Sequence, residues 1–168
     1  MSGMETIATT LKKSFNSAFA EIFSENQISV NSTREVPVFK PMQIIAVIGL
    51  TGDLQGSIFL GCDHKEGLDL GKELWNEQGI STDPSSGESI MRSVLAEFSN
   101  QIGGRALMYL QEGGTDCNMT PPTVFTGSYI HSELCQAVIR FTHILSGSFG
   151  EAHLHIEIKN IKKMDKNS

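Results

Sequence analysis

The chain has 168 residues, of which 39% are hydrophobic and 19% are charged. A chain of this size and composition can bury a core of its own as one globular domain, without a disulfide or a metal ion for support. Its 13 basic and 19 acidic residues give a formal net charge of -6. That charge argues against a surface built for nucleic acid backbones or anionic membranes.

Three cysteines, Cys62, Cys117 and Cys135, are too few and too scattered for a disulfide framework. The first residues lack the basic stretch and long apolar run of a secretion signal. The longest apolar run, residues 44–50, is too short to span a bilayer. We therefore expect reduced thiols and a cytoplasmic protein.

The first part of the chain predicts one helix followed by strands. Residues 4–25 carry apolar side chains at helical spacing, which predicts an amphipathic helix. Residues 28–39 have the composition of a strand, and two further strands are predicted over 43–50 and 55–62. The turn residues Thr51-Gly52-Asp53 between the last two predict a hairpin.

Two helices follow this hairpin. Residues 64–78 predict a short helix, and residues 81–87 are polar enough to form a surface loop. Residues 88–111 carry the longest helical pattern, which ends at Gly113 and Gly114.

The last third of the chain predicts a loop and three strands. Residues 115–120 are interpreted as a loop. Strands are predicted over 123–131, 134–145 and 151–158, and their short connections favour a three-stranded meander. The lysine-bearing tail, 159–168, is expected to fray.

Each group of strands is preceded by a helix, which predicts an α+β fold. The helices should pack on one face of a largely antiparallel sheet, within a single domain over residues 1–168. The segment Ala20-Glu21-Ile22-Phe23-Ser24 of the first helix resembles Ala96-Glu97-Phe98-Ser99-Asn100 of the long one. This similarity indicates an internal pseudo-repeat.

The long helix has two different faces. Its predicted buried stripe consists of Met91, Val94, Leu95, Phe98, Ile102, Ala106 and Tyr109. Glu97 and Asn100, three residues apart, lie together on the other side. Their predicted neighbours are small: Ser93, Ala96, Gly103 and Gly104. The outward face therefore offers one carboxylate and one carboxamide among side chains that a partner could approach closely.

Two alternatives stand beside a functional Glu97 and Asn100. The Glu-x-x-Asn pattern also occurs at Glu73/Asn76 and Glu157/Asn160, so four residues alone carry little information. The adjacent glycines, each of which weakens a helix by about 1 kcal/mol relative to alanine, could serve packing inside the domain instead of docking.

Residues 97–104, EFSNQIGG, resemble the signature helix of the CheC/CheX/FliY phosphatases. Residues 120–127, TPPTVFTG, resemble the proline pair and glycine that open the following strand in CheX-like proteins. The order of elements is similar along nearly the whole chain. Ser24 stands where CheC-like members carry a second asparagine, which favours the CheX type with one site.

The resemblance implies a function. A CheX-like protein hydrolyses the aspartyl phosphate of a CheY-like chemotaxis response regulator. Asn100 would position the attacking water, and Glu97 would anchor the regulator by pairing with one of its lysines. The regulator would supply Mg²⁺, so that this chain needs no cofactor of its own. The resemblance also implies a homodimer joined through sheet edges.

Other interpretations remain open at this point. The same fold serves as a non-catalytic binding module for receiver domains in the flagellar switch, and the regulator could belong to a pathway outside chemotaxis. His153 and His155 lie two residues apart on one face of a predicted strand, and His143 lies on the neighbouring strand. We interpret them as polar residues of a solvated sheet face and not as zinc ligands, because closed-site spacing is missing.

Overall fold

A computed structural model describes residues 2–77, 87–131 and 136–162, with the side chains of 75–77 left out. The predicted loop over 81–87 lies almost wholly outside these residues, as do Cys135 and most of the tail. The helices are α1 (Gly3–Glu25), α2 (His64–Glu77) and α3 (Gly87–Glu112). The strands are β1 (Val30–Val36), β2 (Met42–Gly52), β3 (Leu54–Cys62), β4 (Cys117–Met119), β5 (Thr123–Ile130), β6 (Ile139–Gly147) and β7 (Gly150–Ile161).

The seven strands form one antiparallel sheet in the order β1-β6-β7-β3-β2, with β4 and β5 both paired to β2 at the far edge. The chain has two corresponding halves, α1-β1-β2-β3 and α3-β5-β6-β7. If each strand is exchanged for its counterpart in the other half, the strand order of the sheet becomes the same order read backwards. The topology therefore has the two-fold pseudo-symmetry that the short internal similarity predicted.

All three helices cover one face of this sheet. Alternate residues of the four central strands point toward the helices, as the period of two in a strand requires. On β2, for example, Ile44, Ala46 and Ile48 lie in the main core, while Ile45 lies in a smaller cluster on the opposite face. The prediction of an α+β fold with helices on one face is confirmed.

The predicted three-stranded meander is wrong. β6 and β7 form a hairpin, but β5 pairs with β2, where Phe125 lies opposite Ile45. β1 behaves in the same way, since it leaves its own half to pair with β6. The first strand of each half completes the sheet of the other half, a long-range pairing that local turn residues do not encode.

The predicted loop over 115–120 is also partly wrong, because residues 117–119 form β4 along β2. Next to it, the Thr120 backbone N–H donates to the Gly49 carbonyl at 2.9 Å, and the Thr120 hydroxyl accepts from the Gly49 N–H at 2.8 Å. Pro121 and Pro122 lack an N–H group for the ladder. β4 and β5 therefore read as one strand that two prolines interrupt.

The three histidines of β6 and β7 are buried, so their interpretation as residues of a solvated face is wrong. His155 lies opposite Thr142, which places it on the face away from the helices with His153. His143 lies on the other face, where its Nε2–H donates to the Lys12 carbonyl at 3.2 Å. The three rings thus do not converge.

The connection between β1 and β2 covers the face away from the helices. Phe39 packs edge-on against His155, and the Thr142 hydroxyl donates to the Val38 carbonyl at 2.9 Å. Beneath this cover His155 Nε2 lies 3.0 Å from a carboxylate oxygen of Glu157, and neither side chain is exposed. His155 thus has a partner at each ring nitrogen, Thr142 and Glu157, whereas no hydrogen-bond partner is found among the described residues for the buried Nδ1 of His153.

We predict that stability falls as pH drops below about 6.5, the ordinary pKa of histidine. Burial lowers the pKa of His143 and of His153. Between pH 7.5 and 5.5 these two histidines therefore bind protons more readily in the unfolded chain than in the folded chain. Lowering the pH through this range favours unfolding. Each histidine contributes up to about 1.4 kcal/mol per pH unit in that window. Urea unfolding at pH 7.5, 6.5 and 5.5 measures how steeply the free energy of unfolding changes with pH. His143→Gln should reduce this slope, and an equal slope in parent and variant would show that His143 does not contribute to it.

Candidate active site

The candidate site lies on α3. The buried stripe of this helix packs against the sheet. Ile102 and Ala106 are fully buried in the main core. The helix ends where Gly114 takes a positive φ of 82° and its N–H donates to the Gln111 carbonyl. Glu97 and Asn100 are both exposed, one turn apart, on the side that faces away from the core.

The outward face is narrower than predicted, because Gly103 is buried. A Cβ at this position would meet the Met119 sulfur at 2.9 Å, so the missing side chain lets α3 approach β4. The placement of Gly103 on the outward face is therefore wrong, and its glycine serves packing within the domain. Ser93 and Gly104 are exposed and Ala96 is half-buried, which leaves three small residues around the pair.

The two side chains of the pair have different surroundings. One carboxylate oxygen of Glu97 accepts a hydrogen bond from the Gln101 amide at 2.6 Å. Among the described residues no hydrogen-bond partner is found for the Asn100 carboxamide. Its donor and its acceptor are therefore both available to a molecule that approaches the helix.

Two contacts join α3 to its neighbours near the pair. Phe98 stacks on Phe23 of α1 with ring centroids 5.1 Å apart. The Arg92 guanidinium donates to the Val124 carbonyl of β5 at 2.9 Å. The site residues therefore stand on a rigid helix that is tied to both halves of the fold, which favours a preformed site.

The equivalent place on α1 is arranged differently. Glu21, which corresponds to Glu97, pairs with Arg105 at 3.0 Å and also accepts a hydrogen bond from Tyr109. Hydrogen bonds that Arg105 donates, first to Glu25 and then to Glu21, hold its pKa above the ordinary value. Ser24 is exposed and occupies the position on α1 that corresponds to Asn100 on α3. The α1 carboxylate is therefore already paired within the chain, and a serine stands in place of the amide.

The described residues offer few other reactive groups. They contain no group of three or more His, Cys, Asp or Glu side chains placed to hold a metal ion. Cys62 and Cys117 are free thiols, and burial raises the pKa of Cys62 to about 12, which keeps it protonated. Within the same part of the chain, no helix is both long enough and apolar enough to cross a membrane.

The family model described as Chemotaxis phosphatase CheX matches residues 44–143, which include most of β2, all of β3, α2 and α3, and the exposed pair. This chain belongs to the CheX family. The match covers more than half of the sequence and confirms the resemblance drawn from residues 97–104 and 120–127.

Relatives extend the likeness beyond the family model. The CheY-P phosphatase CheX of Thermotoga maritima is 22% identical over 120 residues, which cover 71% of this chain and 74% of that protein. The crystal structure of CheX from Desulfovibrio desulfuricans matches with a TM-score of 0.73 and 19% identity, over 88% of this chain and 98% of that one. At this identity the structural match establishes the CheX fold alone.

A further solved structure contains a CheX protein with a partner. CheX from Borrelia burgdorferi, in a complex with CheY, BeF3 and Mg²⁺, matches with a TM-score of 0.70 and 19% identity. The match covers 88% of this CheX-family chain and 97% of that protein.

Proposed function

We propose that this chain hydrolyses the aspartyl phosphate of a CheY-like receiver domain. Membership of the CheX family and a curated relative called a CheY-P phosphatase support this reaction. The observation that carries the proposal is the exposed Asn100 carboxamide, unpartnered among the described residues, beside Glu97 on the rigid helix α3.

Asn100 is the proposed catalytic residue. An aspartyl phosphate is a reactive mixed anhydride, so its hydrolysis needs a water in line with the scissile P–O bond more than it needs a protein nucleophile. The Asn100 oxygen accepts a hydrogen bond from that water and its NH₂ group donates to a phosphoryl oxygen. Water attacks phosphorus, the aspartate carboxylate leaves with the bonding electrons, and the proton of the water passes to phosphate.

Glu97 is the proposed anchor. Its carboxylate would pair with a lysine that the receiver domain carries beside the phosphate, and such a charge-assisted contact sets the register of the encounter. The exposed neighbours Ser93 and Gly104, with the half-buried Ala96, allow the partner backbone to approach α3. The receiver domain would bring the Mg²⁺ that neutralises phosphoryl charge, in keeping with the Mg²⁺ and BeF3 of the Borrelia complex.

We predict that Glu97→Lys weakens binding to a receiver domain loaded with beryllofluoride and Mg²⁺ by roughly tenfold or more, because two cations would then face each other. Glu112→Lys is the matched control, since it makes the same charge change at an exposed position at the end of α3. Titration calorimetry measures both dissociation constants. Equal constants for the two variants would remove Glu97 from the anchor role.

The second candidate is a binding module that holds a receiver domain without hydrolysis. Retention of both Glu97 and Asn100 on the exposed face favours the enzyme. An assay of phosphate loss from phosphorylated receiver domains, with the chain present or absent, separates the two functions. The same panel tests whether the regulator belongs to chemotaxis or to another two-component pathway.

Assembly and compartment stay predictions. A homodimer would use a sheet edge, and β5 offers one on which Phe125 and Tyr129 are 51% and 77% exposed. The cytoplasmic location follows from the proposed reaction, because CheY-like regulators act inside the cell.

A further inference from the structure

The outward side of α3 changes in character beyond Asn100. Residues 101–111 contain one charged side chain, Arg105, and it is paired with Glu21 and Glu25 on α1. The other residues of this stretch carry amide, hydroxyl or apolar groups or, as glycine, no side chain at all. A partner that covers this part of the helix therefore does not have to remove water from an unpaired charge of α3.

Met108 lies on this part of the helix and is 46% exposed. No other large hydrophobic side chain that the structure describes on α1, α2 or α3 is exposed to this degree. An advance of about 100° per residue places Glu97, Gly104 and Met108 within about 40° of one line along α3. A single exposed methionine is ordinary on a protein surface, but this one continues the line of the candidate site.

Gly104 lies between the candidate pair and Met108. It is exposed and precedes Met108 by one turn of the helix. The methyl carbon of Met119 on β4 lies 3.9 Å from the place that a Cβ of Gly104 would occupy. Met119 is half-buried and packs against the main core, which holds its methyl group beside the helix. We call Gly104, Met108 and Met119 the methionine patch.

The methionine patch lies within reach of a molecule that docks on Asn100. At a rise of about 1.5 Å per residue, Met108 is about 12 Å from Asn100 along the helix axis. A protein interface of standard size covers about 800 Å² on each partner, which corresponds to a disc of roughly 16 Å radius. A receiver domain whose phosphorylated pocket is centred on Asn100 would therefore cover Met108 as well.

We propose that the methionine patch binds an apolar side chain that the receiver domain carries beside its phosphorylated pocket. The inference rests on the proposed function and adds a specificity-determining contact to it. The two thioether side chains adapt their shape to the group they meet, and burial of apolar surface on both partners makes the contact favourable. A receiver domain with a charged side chain at this place is disfavoured, because that charge loses water without gaining a partner.

A polar substitution of Met108 tests the contact. Met108→Gln keeps the length and the helix propensity of the side chain but places an amide in the patch. We expect the receiver concentration that gives half the maximal rate to rise about threefold to tenfold, because an apolar contact is lost. The maximal rate should stay within about twofold, since Asn100 is untouched.

Two further variants serve as controls for Met108→Gln. Met108→Leu keeps an apolar side chain of similar volume, so its half-maximal concentration should stay within about twofold of the parent. Val38→Thr makes another exposed hydrophobic residue polar, in the connection between β1 and β2 that covers the other face of the sheet. It should alter neither the half-maximal concentration nor the maximal rate.

Oxidation of methionine measures the same contact without an activity assay. Hydrogen peroxide transfers one oxygen atom to an accessible thioether and leaves as water, and mass spectrometry follows the sulfoxide at each position. A receiver domain loaded with beryllofluoride and Mg²⁺ should slow the oxidation of Met108 at least about fivefold, because it covers the sulfur. Met4 is the control, since it lies about 25 Å along α1 from the ion pair of Glu21 with Arg105. Its oxidation rate should not change.

A double-mutant cycle identifies the occupant of the patch. Apolar surface residues of the receiver domain are replaced by glutamine one at a time, and each variant is titrated against the parent and Met108→Gln. For one of these residues the two losses should not add, because both substitutions remove the same contact.

The outcomes separate the patch from the reaction. Additive losses at every position would overturn the patch. An unchanged oxidation rate of Met108, with a receiver domain whose phosphate loss the parent accelerates, would overturn the patch and leave the proposed function standing. A parent that does not accelerate phosphate loss would overturn the proposed function instead. In that case protection of Met108 would still support docking at the patch, and unchanged oxidation would overturn it.

Discussion

Replacing Asn100 by alanine is expected to lower the maximal rate of receiver dephosphorylation by at least about a hundredfold, a loss typical of removing one preorganised polar group from an active site. The carboxamide has no hydrogen-bond partner among the described residues and lies exposed on α3. Alanine at that position keeps the helix, so the loss would be one of chemistry. Binding of the beryllofluoride-loaded receiver domain should change by less than about threefold, because the Glu97 anchor remains.

The matched control is Asn31→Ala, which removes the same amide from an exposed position of β1, at the sheet edge opposite to β4 and β5. Release of phosphate from the receiver domain is followed for parent, Asn100→Ala and Asn31→Ala at saturating concentration. Parental activity in Asn100→Ala would show that another group positions the water. If the unfolding midpoint of Asn100→Ala fell together with its activity, Asn100 would instead have a structural role.

Most of the site on α3 could be predicted from the sequence because a single helix carries it. A period of 3.6 residues assigns buried and exposed sides without any knowledge of the neighbours, and it placed Glu97 and Asn100 correctly on the exposed side. Gly103 was misplaced because glycine gives no hydrophobic signal. Its neighbour across the interface is Met119 of β4, a strand that the sequence assigned to a loop. The misplacement of Gly103 and the missed strand β4 are therefore linked, because Gly103 packs against that strand.

The features that the sequence did not reveal depend on contacts between distant segments. The alternation along β7 predicted two faces correctly, but it could not show that Phe39 covers His155, 116 positions further along the chain. The pairing of β5 with β2 is long-range in the same sense. A groove beside Glu97 is lined from the end of α1, from α2 and from α3, and no local pattern brings Asn26 and Leu74 to the same place.

Gly56 is the glycine with the largest predicted effect on stability. It lies in the middle of the sheet, where β3 pairs with β7 and the register shifts between Gln55 and Gly56. A Cβ built at this position overlaps the carbonyl oxygen of Glu157, which is backbone and cannot rotate away. Glycine in a strand often marks such a close approach of two backbones. We expect Gly56→Ala to lower the free energy of unfolding by at least about 3 kcal/mol, because the sheet must open locally.

Gly104→Ala gives the opposite sign and serves as the control. Its nearest atom beyond its own helix backbone would be the Met119 methyl carbon at 3.9 Å, an ordinary contact, and α3 has a negative φ there. Alanine should therefore raise the free energy of unfolding by about 0.5–1 kcal/mol, since it restricts the unfolded chain. Urea unfolding at pH 7.5 compares both variants with the parent. If Gly56→Ala were as stable as the parent, β3 and β7 could not approach as closely as this sheet requires, and the pseudo-symmetric strand order that orients α3 would lose its central pair.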